Sequence, residues 1–426
     1  MLLVNQIRED KERVIDSLLK RNWKEENLGV LDKILDLDDQ RKKLQTENDG
    51  DLASVNAASK EIGNLMKSGQ RDAAESKKQE VATLKETIKS REETMKSVNE
   101  GLTDLLLTVP NIANDAVPNG NSDEENEVIK EWSGPLPQMS ENALAHWDLA
   151  KKYNLIDFEL GVKITGAGFP LFRGKGARLE RALINFFLDE AHDAGYEEII
   201  PPLLVNEDSA RATGQLPDKE GQMYYAEKDD FYLIPTAEVP ITNIYRNVIV
   251  KEEEFPIKLT GYTPCFRREA GSYGSDVKGL NRVHQFDKVE IVQIRKPEES
   301  YQVLDEMVQH VTGILDKLEL PYRILRLCGG DIGFTSALTY DFEVFSAAQK
   351  KWLEVSSVSN FETFQSNRLK CRYKDENGKT QLVHTLNGSA LALARIIAAL
   401  LENNQYDGGI KIPAALIPYT KFDNID

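Results

Sequence analysis

What most restricts this chain is an absence: residues 27–109 contain no proline. Apolar residues recur there at spacings of three and four. One run takes in Ile34, Leu37, Leu44, Val55, Ala58, Ile62 and Leu65, and a second Val81, Leu84, Ile88, Met95, Val98, Leu102 and Leu105. Such a heptad pattern buries one seam of a helix against another helix. Ser68, Gly69 and Gln70 part the two runs, so the spacing predicts an antiparallel helical hairpin over about 27–107. Polar residues at Arg41, Asn48, Asp51 and Arg91 fall on the seam and weaken it, which suits an arm that projects into solvent and bends on contact. A plain dimerisation coiled coil has the same pattern and stays open. The eight lysines from Lys42 to Lys89 suffice for phosphate contacts without being specific to them. A short helical segment with Val14, Ile15, Leu18 and Leu19 on one face precedes the hairpin.

Proline, asparagine and glycine crowd together after Val109 and read as a linker. Beyond it strands and helices mix with no second linker of that kind, so the expected division is 1–110 for the arm unit and 111–426 for one α+β domain. A formal charge of −17 argues against a generally basic nucleic-acid binder, leaving any RNA contact to local basic patches. Cys265, Cys328 and Cys371 stand far apart with no Cys-x-x-Cys pair, as expected of reduced thiols in a cytoplasmic protein. The opening residues turn charged too soon for a secretory signal, and no apolar run approaches membrane-spanning length. A soluble protein with no membrane partner is expected.

Residues 265–290 carry the chemistry-bearing stretch. Its ends read as strands, one with Arg267, Arg268 and Glu269, the other alternating through Val283, Phe286, Val289 and Ile291. Gly271, Gly274 and Gly279 mark a loop between them. Arginine forks onto phosphate, an aromatic ring stacks on a base, and a glutamate receives a cationic group, so an antiparallel pair of this kind suits a nucleotide. An ordinary surface hairpin is the competing reading.

Other elements are legible around it. A helix over 176–195 with Leu179, Leu183, Phe186 and Phe187 on one side is expected to stop at Gly195. A strand over 196–205 carries Pro201 and Pro202, which confine it to an edge or an interface. Thr236 and Glu238 are expected at the end of a short strand over 232–240, and residues 352–357 close another with an acid and two hydroxyls. Residues 385–403 read as one buried helix with Ser389 near its N-terminus. Arg395, set among Leu391, Leu393, Ile396 and Ile397, would be a buried guanidinium needing a partner, either a structural carboxylate or a polyphosphate.

Taken together these pieces resemble the seryl-tRNA synthetase family of class II aminoacyl-tRNA synthetases, bacterial in style, from end to end. The helix-strand unit ending at Pro202 resembles the first class motif, 266–290 the second and 388–403 the third. Thr236-Ala237-Glu238, Arg282-Val283-His284-Gln285-Phe286, Glu354-Val355-Ser356-Ser357 and the helical arm resemble pieces particular to the serine enzymes. The fold so implied is α+β, an antiparallel coiled-coil arm followed by a catalytic domain of antiparallel β-sheet flanked by helices.

The resemblance also implies roles. Arg267 would hold the α-phosphate and the serine carboxylate, with Arg268 beside it at ATP. Glu269 would meet the adenine amino group, Phe286 would stack on adenine and Val283 would line that site. Arg395 would bind the γ-phosphate. Glu354 and Ser357 would hold Mg²⁺ with ATP, Val355 and Ser356 lining their surroundings. Thr236, Ala237 and Glu238 would shape the pocket around the α-amino group of L-serine, while Glu290 and Ser389 would contact its amino and hydroxyl groups. The loop tip over 272–278 would touch the tRNA acceptor end. Partners implied are tRNA(Ser), tRNA(Sec) and a second copy of the chain in a homodimer.

Two alternatives remain beside a serine–tRNA ligase. A related ligase loading a carrier protein should lack the long arm, and a non-catalytic RNA-binding descendant should have lost Arg267, Glu290 or Arg395. Two departures from the family pattern, Gln365-Ser366-Asn367-Arg368 and Phe345-Ser346-Ala347, put tRNA contacts or stability in question before activation. The five histidines form no metal-spaced cluster, so a zinc-dependent variant is not expected. No spare segment offers an editing domain.

Overall fold

The structure, a computed structural model, describes residues 1–139, 143–218, 220–269 and 278–426. It divides into two compact units. One holds Leu2–Leu19 and Trp23–Pro110, and the other holds Asn111–Asp426 with Met1 and Lys20–Asn22.

In the first unit the helices α1 (Val4–Glu9) and α2 (Lys11–Lys20) lead to α3 (Gly29–Lys67) and α4 (Arg71–Thr108). The expected hairpin is therefore present, with Gly69 at φ +77° in the turn, where a residue bearing a Cβ would be strained. Leu31, Ile34, Ala58, Ala74, Val81, Ile88, Val98 and Leu102 are buried along the seam. Three of the four polar seam residues are paired: Arg91 reaches across to Asp51 at 2.6 Å and to Glu47 at 3.5 Å, and Arg41 lies 2.6 Å from Asp38, whereas the buried Asn48 Oδ1 has no hydrogen-bond partner among the described residues. Asp38 is buried beneath Arg8, Arg41 and Lys42. Burial alone would raise its carboxyl, but hydrogen bonds from those cations outweigh that and hold it at about 2.

The second unit is built on an eight-stranded sheet. Its strands are β1 (Glu127–Lys130), β2 (Glu197–Glu198), β3 (Ile257–Phe266), β4 (Gln285–Arg295), β5 (Tyr322–Arg326), β6 (Leu338–Ser346), β7 (Lys351–Asn360) and β8 (His384–Ala392). They lie in the order β1-β5-β6-β7-β8-β4-β3-β2. All neighbours are antiparallel except β2 and β3. The helices α5 (His146–Lys152), α6 (Gly174–Asp193), α7 (Glu238–Asn243), α8 (Ser300–Lys317) and α9 (Leu393–Asn403) join it. Side chains alternate between the sheet's faces. Val289, Ile291, Leu338, Phe342, Val344, Leu386 and Ala390 share a core with apolar residues of α6, α8 and α9. The alternate residues Phe286, Lys288, Glu290, Asp341, Glu343, Asn387 and Ser389 face a cavity.

Several expected elements are corrected. Residues 385–403 are not one helix: β8 runs to Ala392 and α9 starts at Leu393, so Ser389 sits on a central strand. A strand buried on both faces reads as a continuous apolar run, which periodicity alone cannot separate from a buried helix. Glu238 opens helix α7 instead of ending a strand, and Pro240 is tolerated there in the first turn, where its missing N–H breaks no helical bond. The strand over 196–205 is two short pieces, Glu197–Glu198 and Leu204–Val205, with both prolines between them and β2 on the sheet edge. Residues 352–357 lie within β7, which continues to Asn360. As expected, Gly195 follows the end of α6, and its φ of +81° turns the chain so that the Tyr196 N–H reaches the Ala191 carbonyl at 3.0 Å.

Candidate active site

Most of the singled-out residues meet in one cavity of about 1110 Å³. It is lined by Thr236, Glu238, Arg267, Glu269, Val283, Phe286, Glu290, Glu354, Val355, Ser356, Ser357, Ser389 and Arg395. Two members of the set stand off its wall. Ala237 is fully buried among Ile241, Val250 and Leu259, and Arg268 is fixed by its backbone N–H to the Gln222 carbonyl at 2.9 Å. The loop tip lies outside the described residues except for Lys278.

The pair β3 and β4 supplies the floor, as the 265–290 stretch predicted, with Phe286 opposite Cys265. Strand β3 ends at Phe266, so Arg267, Arg268 and Glu269 lie just past it. Arg267 is still held in line: its N–H donates to the His284 carbonyl at 2.9 Å, and its own carbonyl faces His284 Nδ1 at 3.0 Å. Its guanidinium carbon lies 5.3 Å from the Phe286 ring centre, a spacing at which cation and ring attract. Glu269 Oε2 receives Arg282 Nη1 at 3.1 Å.

At the other end is a compact buried polar group. Lys288 Nζ lies 2.5 Å from Glu290 Oε2 and donates to Thr236 Oγ1 at 2.9 Å. That hydroxyl donates to Glu290 Oε2 at 3.0 Å. Ser389 pairs directly opposite Glu290 in the sheet. Glu238 accepts from Gln365 Nε2 at 2.6 Å, and Gln365 in turn accepts from Thr385 Oγ1 at 2.7 Å. Burial, then the neighbouring charge of Glu290, pushes the Glu238 carboxyl up to about 7.

Arg395 and the acidic residues of β6 and β7 form the third wall. Arg395 Nε donates to the Asn281 carbonyl at 3.0 Å and Nη1 to the Glu354 carbonyl at 2.8 Å, with the Glu354 carboxylate 3.6 Å away. Its side chain is 28% exposed, so the fully buried guanidinium expected from its apolar neighbours is corrected to a half-buried one opening on the cavity. The helix is apolar around it, but Arg395 lies within the first turn, at the cavity rim. Ser357 Oγ donates to Glu354 Oε1 at 3.4 Å, while Ser356 donates to the Ser389 carbonyl at 2.6 Å and ties β7 to β8. Asp341 stands opposite Ser357, and its Oδ1 has no hydrogen-bond partner among the described residues. Burial and the Glu354 charge hold that carboxyl well above the usual carboxylate range. Among the described residues no three acidic, histidine or cysteine side chains converge as a closed metal site.

Lys288, Asp341 and Asn281 were not anticipated. Lys288 was within reach, since alternation along β4 puts it on the face of Phe286 and Glu290. Asp341 and Asn281 carry no local signal, because strand pairing and loop packing bring them in.

Known proteins bear directly on this arrangement. The family of seryl-tRNA synthetase N-terminal domains matches residues 1–113, and the class II tRNA synthetase core domain of the G, H, P, S and T enzymes matches 223–404. A serine–tRNA ligase of Salinibacter ruber is 48% identical over 100% of this chain and 99% of its own. The crystal structure of seryl-tRNA synthetase from Pyrococcus horikoshii, complexed with ATP, is 33% identical with a TM-score of 0.90, covering 100% of this chain and 99% of that one. The cytoplasmic serine–tRNA ligase of Naegleria fowleri, in complex with AMP, is 26% identical with a TM-score of 0.85 at the same coverage. With sequence and fold agreeing along the whole chain, this protein belongs to the seryl-tRNA synthetase family.

Proposed function

We propose that the chain is an ATP-dependent serine–tRNA ligase. It would activate L-serine as seryl-adenylate and transfer it to the 3′ end of tRNA(Ser), and by the family resemblance of tRNA(Sec). The observation that carries this reading is the cavity itself, with an arginine and aromatic pair at one end and the Thr236, Lys288 and Glu290 cluster at the other. A carrier-protein ligase, expected to lack the arm, is disfavoured because the relatives match over the arm as well.

The serine carboxylate attacks the α-phosphorus in line, and pyrophosphate leaves. The terminal ribose hydroxyl of tRNA then attacks the seryl carbonyl and AMP leaves. Neither step needs a strong base, so positioning and charge neutralisation dominate. In this reading Arg267 holds the α-phosphate and the serine carboxylate, and Arg395 the γ-phosphate. Phe286 stacks on adenine with Val283 beside it, and Glu269 meets the adenine amino group. Glu238 and Thr236 receive the α-amino group, and Glu290 with Ser389 the hydroxyl end of serine. Mg²⁺ fits Glu354, Ser357 and the unpartnered Asp341 oxygen, provided that phosphate oxygens complete its shell. When bound it neutralises phosphate charge. Ala237, buried in the core, would serve serine only by placing its neighbours, while the exposed Arg268 side chain remains proposed at ATP.

A site built to bond a hydroxyl rejects alanine by roughly 10⁴-fold, whereas threonine must be excluded by shape, worth about 10–200-fold. Pyrophosphate exchange with serine, alanine and threonine measures both, and exchange that does not depend on serine would sink the reading. Deleting 27–107 should leave exchange intact and abolish tRNA charging; charging unchanged by the deletion refutes a tRNA role for the arm.

Because an ammonium prefers an ionised Glu238, the KM for serine should rise as pH falls below about 7, approaching tenfold per unit. Stability has the opposite sign. A carboxyl raised by folding favours the folded state fully at pH below its ordinary value and loses that contribution as pH rises to about 7. Glu238→Gln should flatten the serine profile, and an unchanged slope in that variant would remove Glu238 from the amino site.

A homodimer is supported by the edge strand β2 and by Ile200, 90% exposed, with Leu203 and Leu204 exposed nearby. Sedimentation of Ile200→Asp should show monomer where the parent chain shows dimer; a monomeric parent would refute the dimer. Among the described residues no helix is long and apolar enough to cross a membrane, in keeping with a proposed place in the cytoplasm.

A further inference from the structure

Outside the cavity lining and given no role above lies a fully buried histidine–carboxylate pair. His146 opens helix α5, and its Nδ1 is 2.8 Å from Oε1 of Glu402, near the C-terminal end of α9. The His146 backbone N–H also donates to that oxygen at 3.0 Å, and Ser346 Oγ donates to the other. An acceptor at Nδ1 fixes the proton there and leaves Nε2 as a bare acceptor. Nε2 is used: the backbone N–H of Leu280 donates to it at 2.8 Å. Burial would raise the Glu402 carboxyl, but the hydrogen bonds from His146 and Ser346 hold it below its ordinary value, in keeping with a charged acceptor.

The chain is fitted to the imidazole at this point. Gly279 has φ +69°, and a Cβ there would lie 2.2 Å from His146 Nε2. Two residues on, Asn281 is tied back to the same carboxylate: its Nδ2 donates to Gln349 Oε1 at 2.8 Å, and Gln349 Nε2 donates to Glu402 Oε1 at 3.0 Å. The Asn281 carbonyl then accepts Arg395 Nε. Arg395 and Glu402 are seven residues apart on α9, about two turns, and so lie on one face. That face holds the Leu280–Asn281 main chain at two points, directly through Arg395 and indirectly through Glu402 and His146.

We propose that His146 and Glu402 are positioning residues: they set the main chain at Leu280–Asn281, and through the Asn281 carbonyl they set the direction of the Arg395 guanidinium toward ATP. Arg395 commits Nε and Nη1 to carbonyls. Its approach to a phosphate therefore depends on where those two carbonyls stand. Glu354's carbonyl is fixed by strand β7. Asn281 follows β-sheet pairing nowhere, and the His146 network holds it instead.

The inference rests on the proposed ATP-dependent activation, and its test separates the two. His146→Asn keeps a donor for Glu402 but offers Leu280 no acceptor, whereas His146→Gln keeps an acceptor near the Nε2 position. His146→Asn should weaken ATP roughly tenfold, about what one charge-assisted hydrogen bond is worth. This would be read both as the KM for ATP in exchange and as the dissociation constant by calorimetry. The KM for serine should change less than about twofold, and His146→Gln should restore part of the loss. In an Arg395→Ala background His146→Asn should add nothing further to the ATP dissociation constant, since the effect passes through Arg395. Equal shifts for serine and ATP, losses that multiply with Arg395→Ala, or no change in either constant would each overturn the inference. A parent chain that binds ATP but shows no serine-dependent exchange would fail the proposed function alone, because calorimetry still reads the network.

Discussion

Arg395→Ala is expected to abolish serine-dependent pyrophosphate exchange, by roughly 10³-fold or more, the scale of removing an arginine from a phosphoryl-transfer site. The fold should survive. The side chain is part-exposed, and the two carbonyls it leaves, those of Asn281 and Glu354, border the cavity, where water can replace it. The loss is thus catalytic in origin: without a cation at that end, the triphosphate is neither oriented nor neutralised when pyrophosphate departs. Exchange kinetics together with a thermal melt separate the two effects. Near-normal exchange in the variant would return Arg395 to a purely structural role, tying α9 to β7.

Glu290→Ala should do damage of both kinds. Glu290 and Lys288 are a buried ion pair with side chains 3% and 7% exposed. Removing one member strands the other charge away from water, at a cost of about 3–5 kcal/mol. The same change removes a carboxylate proposed to select serine, so serine-dependent exchange should fall to background. A second variant keeps these apart. Lys288→Met combined with Glu290→Leu leaves no unpaired charge, so unfolding by urea should show much of the stability returned while activity stays lost. Recovery of serine-dependent exchange in that double variant would show that Glu290 is not a selector.

The pair also explains why the site holds two acids and a lysine in so small a volume. Glu238 and Glu290 repel, and the Glu238 carboxyl is raised first by its burial and then by that repulsion. Lys288 offsets one of the charges, so an incoming ammonium meets a carboxylate still free to ionise. Sequence comparison of acids alone would count Glu238 and Glu290 as equivalents. Burial and the lysine make them different.

Much was legible from local pattern. The absence of proline and the 3–4 spacing specified the hairpin of α3 and α4, because heptad burial is a property of neighbouring residues. The glycine stop at Gly195 and the antiparallel pair of β3 and β4 were legible for the same reason. Ser389 was placed wrongly on a helix, since Leu, Ala and Gly in a doubly buried strand carry no period. Glu238 was placed wrongly on a strand, since the strand there ends at Leu233 and a helix starts five residues later. Arg91 and Asp51 on the arm seam read as weakness because each finds its partner on the opposite helix.

The sequence by itself therefore determined the arm, the central strand pair, most of the charged and aromatic residues of the site, and the family they resemble. The tertiary structure alone decided that Lys288 neutralises Glu290, that Asp341 faces Ser357, and that His146 reaches Leu280 across 134 residues of chain. The physical reason is separation. Periodicity, caps and turns act over a few residues and leave a trace in the sequence, while the charge, burial and hydrogen bonding of a site are set by strands and loops that meet only when the sheet is assembled.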